Sequence, residues 1–153
     1  MPGDAQGHHD DDHHHGDDGA LGANERAVLA EIEAADRPLT AYDILDRLRP
    51  GRPKVAPTTV YRALARLTDA HRVHRIETLN AYVACPSAGA HRHGETILAI
   101  CDDCGTVNEH IAPGAMAAIS DTLGQSGFRA ARPIVEVRGR CAGCDTRAAE
   151  ARA

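Results

Sequence analysis

Between Asn24 and Ala70, apolar residues recur three and four positions apart, the spacing of helices with one buried face. Three segments carry it. In 24–35, Val28, Leu29 and Ile32 share a face, with Asn24 as candidate N-cap. In 37–48, Ile44, Leu45 and Leu48 do the same, and Thr40 with Asp43 three residues on forms a variant capping box. In 58–70, Val60, Leu64 and Leu67 keep the rhythm behind Pro57, whose fixed φ suits a first helical turn. The breaker-rich stretch 49–57 separates the last two helices.

The period then shortens to two. Residues 72–77 alternate, a short turn follows, and 81–85 read as a second strand. Three helices and a hairpin predict a winged helix-turn-helix, with 58–70 as recognition helix and the hairpin as wing. Beyond a Gly/Ala/His segment at 86–95, strands are predicted at 96–101 and 133–141. Between them a helix over 112–127 turns Met116, Ile119 and Leu123 inward. The expected class is α+β, an N-terminal winged helix-turn-helix followed by a small C-terminal α/β unit. The expected divisions are a tail (1–22), the winged helix (23–85), a linker (86–95), the second unit (96–146) and a short tail (147–153). The second unit is too small to be comfortable alone, which predicts dimerisation and a covalent or metal staple.

Composition changes this picture in three ways. Aromatic residues are 3% of the chain against 42% hydrophobic, so the cores must be aliphatic. The net charge of −5 conceals an asymmetry: residues 1–20 hold six Asp and no Lys or Arg, whereas 36–80 hold nine bases against five acids. A basic winged helix suits nucleic acid, though a local excess of four is a weak signal by itself. Finally, residues 1–22 have almost no apolar side chains and are expected to be disordered. Five of the ten His fall within 8–18, a solvated tail or a loose metal-gathering one. The longest apolar run, 97–101, is far too short to cross a bilayer. A cytoplasmic protein with reduced thiols is therefore expected.

Five cysteines argue against a closed disulfide framework. Two Cys-x-x-Cys pairs, Cys101/Cys104 and Cys141/Cys144, lie 36 residues apart at the ends of the second unit. Four thiolates so arranged suit one tetrahedral zinc that staples a weak core. A redox dithiol needs only one pair, normally opening a helix after a strand, whereas Gly105 and a β-like run follow Cys104. Cys85 is left over at the end of the wing. Near it in sequence or pattern stand His74, His91, His93, Glu109 and His110. Cys85 is either a buried thiol among surface histidines or part of a metal cluster across the hinge. A thiolate with imidazoles and one carboxylate selects zinc over iron(II) or manganese. No phosphate-binding Gly-rich loop or convincing enzyme site stands out, and no catalytic residue or small-molecule substrate is expected. A thiol oxidoreductase and a protein-binding zinc ribbon are the readings from other classes.

Several segments together, "APTTVYRALARL" (56–67), "HRIETLNAYVAC" (74–85), "HRHGETILAICDDCGTVNE" (91–109) and the late "CAGC", resemble the ferric uptake regulator family, and within it the zinc uptake regulator branch. The resemblance spans about residues 22–146. It implies a homodimer that binds AT-rich inverted-repeat operators when metal-loaded, repressing zinc-uptake genes. It implies a structural zinc on Cys101, Cys104, Cys141 and Cys144. It implies a regulatory zinc on His74, Cys85, His93 and Glu109, with His91 substituting for or joining a ligand. An iron- or peroxide-sensing relative is the alternative, but such proteins usually lack the wing-end cysteine. For DNA the resemblance points to Tyr42, Tyr61 and Arg62, and Thr59 is a further candidate contact on the recognition helix. Arg52, Lys54 and Arg75 are candidate phosphate contacts. Asp46 and Arg49 match positions that relatives use between adjacent dimers. Many relatives carry Gly where His71 stands.

Overall fold

The structure is a computed structural model that describes residues 21–86, 95–131 and 133–151. It opens with three helices, α1 (Ala23–Glu33), α2 (Ala41–Leu48) and α3 (Pro57–Asp69). Their predicted faces meet in one aliphatic cluster that includes Val28, Leu29, Ile32, Ile44, Leu45, Val60, Leu64 and Leu67. Thr40 caps α2 as expected: its Oγ1 accepts from the Asp43 N–H (3.1 Å), and Asp43 Oδ2 accepts from the Thr40 N–H (2.9 Å). The expected cap at Asn24 is corrected. The helix α1 starts two residues earlier than that cap implies, behind Gly22, with no side-chain cap. Glu25 folds back against Gly22, where a Cβ would collide with its carboxylate. Asn24 instead accepts a hydrogen bond from Arg52 Nη1 (2.9 Å).

The end of α3 explains the residue at 71. The His71 N–H bonds to Thr68 O (3.0 Å) and the Arg72 N–H to Leu67 O (2.8 Å), the paired closure of a Schellman motif. That closure needs a left-handed residue, and His71 supplies it at φ 56°, where glycine is favoured. The chain then enters the antiparallel hairpin β1 (Val73–Ile76) and β2 (Ala81–Ala84). Leu39 adds a bridge to Tyr82 through two backbone hydrogen bonds (3.0 and 2.8 Å), seating the hairpin on the helices.

A second sheet has the order β4-β3-β5, built from β3 (Thr96–Cys101), β4 (Val107–Ile111) and β5 (Val135–Gly139). Strand β3 runs antiparallel to β4 and parallel to β5. The helix α4 (Pro113–Gly124) lies between β4 and β5 in sequence. Of its predicted inward stripe only Met116 is buried; Ile119 and Leu123 are half-buried. Phe128, Ile134 and Val137 are more than half exposed, so this chain covers little of its own apolar surface here. A further helix, α5 (Ala142–Glu150), occupies residues where a tail was expected from 147. Wing and second sheet share a core: Ile76, Leu98 and Ile100 are buried together, flanked by Leu79, Val83 and Val107. Among the described residues, no helix is long and apolar enough to cross a membrane.

Candidate metal centres and nucleic-acid interface

The two Cys-x-x-Cys pairs converge. Cys101 closes β3, and the following turn is completed by Gly105 at φ 75°, whose N–H bonds to Cys101 O (2.9 Å). Cys141 is the N-cap residue of α5, and Cys144 sits in that helix's first turn. The four Sγ atoms lie within 4.8 Å of one another. All four cysteines are free thiols. The Cys104–Cys141 sulfur separation is 3.8 Å. A tetrahedron with Zn–S bonds of about 2.3 Å has edges of about 3.8 Å, so the donor set and the spacing both fit zinc.

Backbone dipoles prepare the cluster for a cation. The Cys104 N–H, and after it the Cys141 N–H, point at Cys101 Sγ and pull its pKa down to about 6. The Cys104 thiol is also lowered, by Thr106, whose hydroxyl lies 3.2 Å away. Cys144 behaves oppositely: burial and the neighbouring sulfurs push it up to about 12, against the Arg147 guanidinium at 2.9 Å. One ready thiolate beside a reluctant one is expected where four like charges converge, and a dication resolves the conflict.

A second cluster forms between wing and sheet. His74 comes from β1, Cys85 directly follows β2, and Glu109 comes from β4. Their donor atoms also lie within 4.8 Å of one another. The Cys85 N–H bonds to Arg72 O (3.0 Å), which fixes the thiol at the hairpin's base. Glu109 Oε2 lies 3.2 Å from His74 Nε2 and 3.7 Å from Cys85 Sγ. Thr96 Oγ1 donates to Glu109 Oε1 (3.3 Å), orienting the carboxylate. His74 Nε2 is fully shielded from solvent and makes no hydrogen bond. An orphaned ring nitrogen beside a carboxylate only 6% exposed is a costly arrangement that a bound cation would relieve. With one thiolate, one imidazole and one carboxylate, the set fits zinc.

His91 and His93 lie outside the described residues. His110 is not brought in: it pairs with Ile97, one register step from Glu109, and so faces the other side of the sheet. Nor does His71 belong to the cluster. Sequence reasoning missed Thr96, Thr106 and Arg147. Arg147 had a findable signal, three residues after Cys144 on one helix face.

On the helical unit, Tyr42 and Tyr61 are 64% and 47% exposed, and Arg62 and Lys54 are also exposed. Thr59 is half-buried in the first turn of α3. Two of the expected phosphate contacts have internal partners. Arg52 ties down the start of α1 through Asn24 and Ala23 O (3.2 Å), and Arg75 bonds Asn80 (3.3 Å) and Glu77 (3.3 Å). Asp46 and Arg49 pair with each other at 2.7 Å.

A winged helix joined to a small sheet, with a four-thiol cluster in the sheet unit and a His–Cys–Glu cluster where the wing meets it, defines a class of metal-dependent winged-helix proteins. The chain belongs to the ferric uptake regulator family, whose model matches residues 22–138. It is 37% identical over 117 residues to the zinc uptake regulation protein of Escherichia coli (strain K12), covering 76% of this chain and 68% of that protein. Among solved structures, a zinc uptake regulator complexed with zinc and DNA is 35% identical with a TM-score of 0.79, over 85% of this chain and 86% of that one. Holo XcZur is 33% identical with a TM-score of 0.75, over 82% and 86%. These relatives bear out the resemblance to the zinc uptake regulator branch.

Proposed function

We propose that this chain is a zinc-responsive, homodimeric transcriptional repressor. It binds AT-rich inverted-repeat operators of zinc-uptake genes when zinc-loaded, acts in the cytoplasm and catalyses no reaction. The observation that carries this reading is the convergence of His74 on β1, Cys85 just after β2 and Glu109 on β4, two of the donors on the wing and one on the sheet. Likeness to a zinc uptake regulator complexed with zinc and DNA supports it.

Cys101, Cys104, Cys141 and Cys144 hold a structural zinc, and His74, Cys85 and Glu109, with His93 or His91 as the fourth donor, hold a regulatory one. Zinc held by these residues would supply a cross-link in each place. His74 and Cys85 bring the base of the wing to that link, and Glu109 anchors it to the sheet. The two recognition helices of a dimer are thereby held at one separation, which an inverted repeat matches. Arg62 reads a base edge in the major groove, Tyr61 and Tyr42 contact phosphate or a thymine methyl, and Thr59, Lys54, Arg52 and Arg75 support the backbone. The exposed Phe128, Ile134 and Val137 support dimerisation through the second unit.

Fluorescence anisotropy with an AT-rich inverted-repeat duplex tests the reading. Zinc should tighten binding at least about tenfold, roughly 1.4 kcal/mol of coupling. Arg62→Ala should weaken binding by about 1–3 kcal/mol without changing zinc content. Equal affinity with zinc and with chelator would overturn the proposal.

A further inference from the structure

Among the described residues, carboxylates of the second sheet meet the wing at two places, and only one involves the metal-ligating cluster. Leu98 on β3 has Glu109 beside it on β4 and Glu136 beside it on β5. The two carboxylates thus stand in one row on one face, two strand spacings apart, or about 10 Å. Glu109 meets the base of the hairpin. Glu136 meets its tip: Oε1 accepts from the Glu77 N–H (2.6 Å), and Oε2 accepts from the Thr78 N–H (3.1 Å) and the Thr78 hydroxyl (2.6 Å). Between the two contacts lies the apolar pad of Ile76, Leu98 and Ile100.

We propose that Glu136 is a second, metal-independent anchor of the wing, a positioning residue that grips the hairpin tip while the His74–Cys85–Glu109 cluster grips its base. Three donors converge on one carboxylate, including two successive backbone N–H groups, an arrangement suited to an anion. Burial raises the Glu136 pKa, but the bonds from Thr78 and Glu77 outweigh it and keep the group ionised. The grip extends to Arg75, whose Nη2 lies 3.3 Å from Glu77 Oε2, so the tip anchor also aims a candidate phosphate contact.

Its regulatory consequence rests on the proposed function. With the hinge cluster empty of metal, the tip remains held, and the wing pivots about residues 77–78. His74 and Cys85 then stay near Glu109, and closing the cluster orders less chain. Glu136 thereby raises zinc affinity at a site it does not touch.

The test uses the full-length dimer carrying only the four-cysteine zinc, with Glu136→Ala and the isosteric Glu136→Gln, which keeps one acceptor oxygen. Amide exchange at Glu77 and Thr78, followed by NMR, should accelerate about tenfold or more in Glu136→Ala. It should accelerate less in Glu136→Gln. Competition with a zinc-chelating dye should show the second zinc bound about three- to tenfold more weakly by Glu136→Ala, with the four-cysteine zinc retained. Unchanged exchange at both amides overturns the anchor, and faster exchange with unchanged zinc affinity overturns its regulatory role. If Glu136→Ala fails to fold, exchange in Glu136→Gln decides alone. Should the wild type bind no second zinc, the proposed function falls, while the exchange comparison still decides whether the tip is anchored.

Discussion

The two donor clusters differ in where their residues come from. Cys101, Cys104, Cys141 and Cys144 all belong to the second unit, one pair on the turn after β3 and the other at the start of α5. His74, Cys85 and Glu109 come from both sides of the junction between wing and sheet. Four protein thiols close the first site to any further ligand, the pattern of a structural zinc. The second set has only three donors among the described residues, and its ligands share no single secondary-structure unit. A metal held wholly within one unit stabilises that unit. A metal shared between two units fixes their orientation, which makes its binding sensitive to conformation and conformation sensitive to its binding.

The largest effect that would break this contrast is expected from Cys101→Ser. Removing one thiolate should release the structural zinc and with it most of the second unit's stability. Free energies of about 10–16 kcal/mol are bound up in such sites in small zinc domains. Zinc content by mass spectrometry and the loss of a cooperative thermal transition would check it. A folded, dimeric variant would show that the sheet unit needs no staple.

Cys85→Ser comes next and should act the other way round. The fold and the four-cysteine zinc persist, the second zinc is lost, and operator affinity becomes insensitive to zinc, a change of about tenfold or more. If this variant melts like Cys101→Ser, the hinge cluster is structural after all.

The smallest effect sharpens the comparison by touching neither cluster. Thr40→Ala removes the α2 capping box and should lower stability by about 1 kcal/mol at neutral pH, with both zincs retained. Its pH dependence has a definite sign. The Thr40 hydroxyl, and then its backbone N–H, hold Asp43 below its ordinary pKa of 3.8. The contribution is therefore fully present above pH 3.8 and fades as the pH falls through the lower folded value. In denaturant titrations carried below that pH the gap between wild type and variant should narrow to the part supplied by Thr40 Oγ1 accepting from the Asp43 N–H.

Much of this was legible along the chain because it is locally encoded. The three helices announced themselves through apolar periodicity, and the four-cysteine cluster through its spacing, since each Cys-x-x-Cys turn is a short-range structure. Other elements were hidden for stated reasons. The start of α1 was misplaced because Gly22 and a folded-back Glu25 replace a side-chain cap. The helix α5 escaped notice because only Cys144 on it is buried, so no apolar stripe marks it. Two of the three stripe residues on α4, Ile119 and Leu123, stay partly exposed, because one chain alone does not cover that surface.

By itself the sequence determined the order of elements as far as β5, the aliphatic faces, the α2 cap, the four-cysteine set and the candidate hinge donors, all short-range patterns of periodicity or spacing. Tertiary structure decided which donors meet. It set Glu109 rather than His110 against His74 and Cys85 through the register of β3 with β4, where one residue's slip reverses the face. It also drew Glu136 to a turn 58 residues earlier. No local pattern encodes such a contact, because it exists only once the Ile76–Leu98–Ile100 core has packed the wing against the sheet.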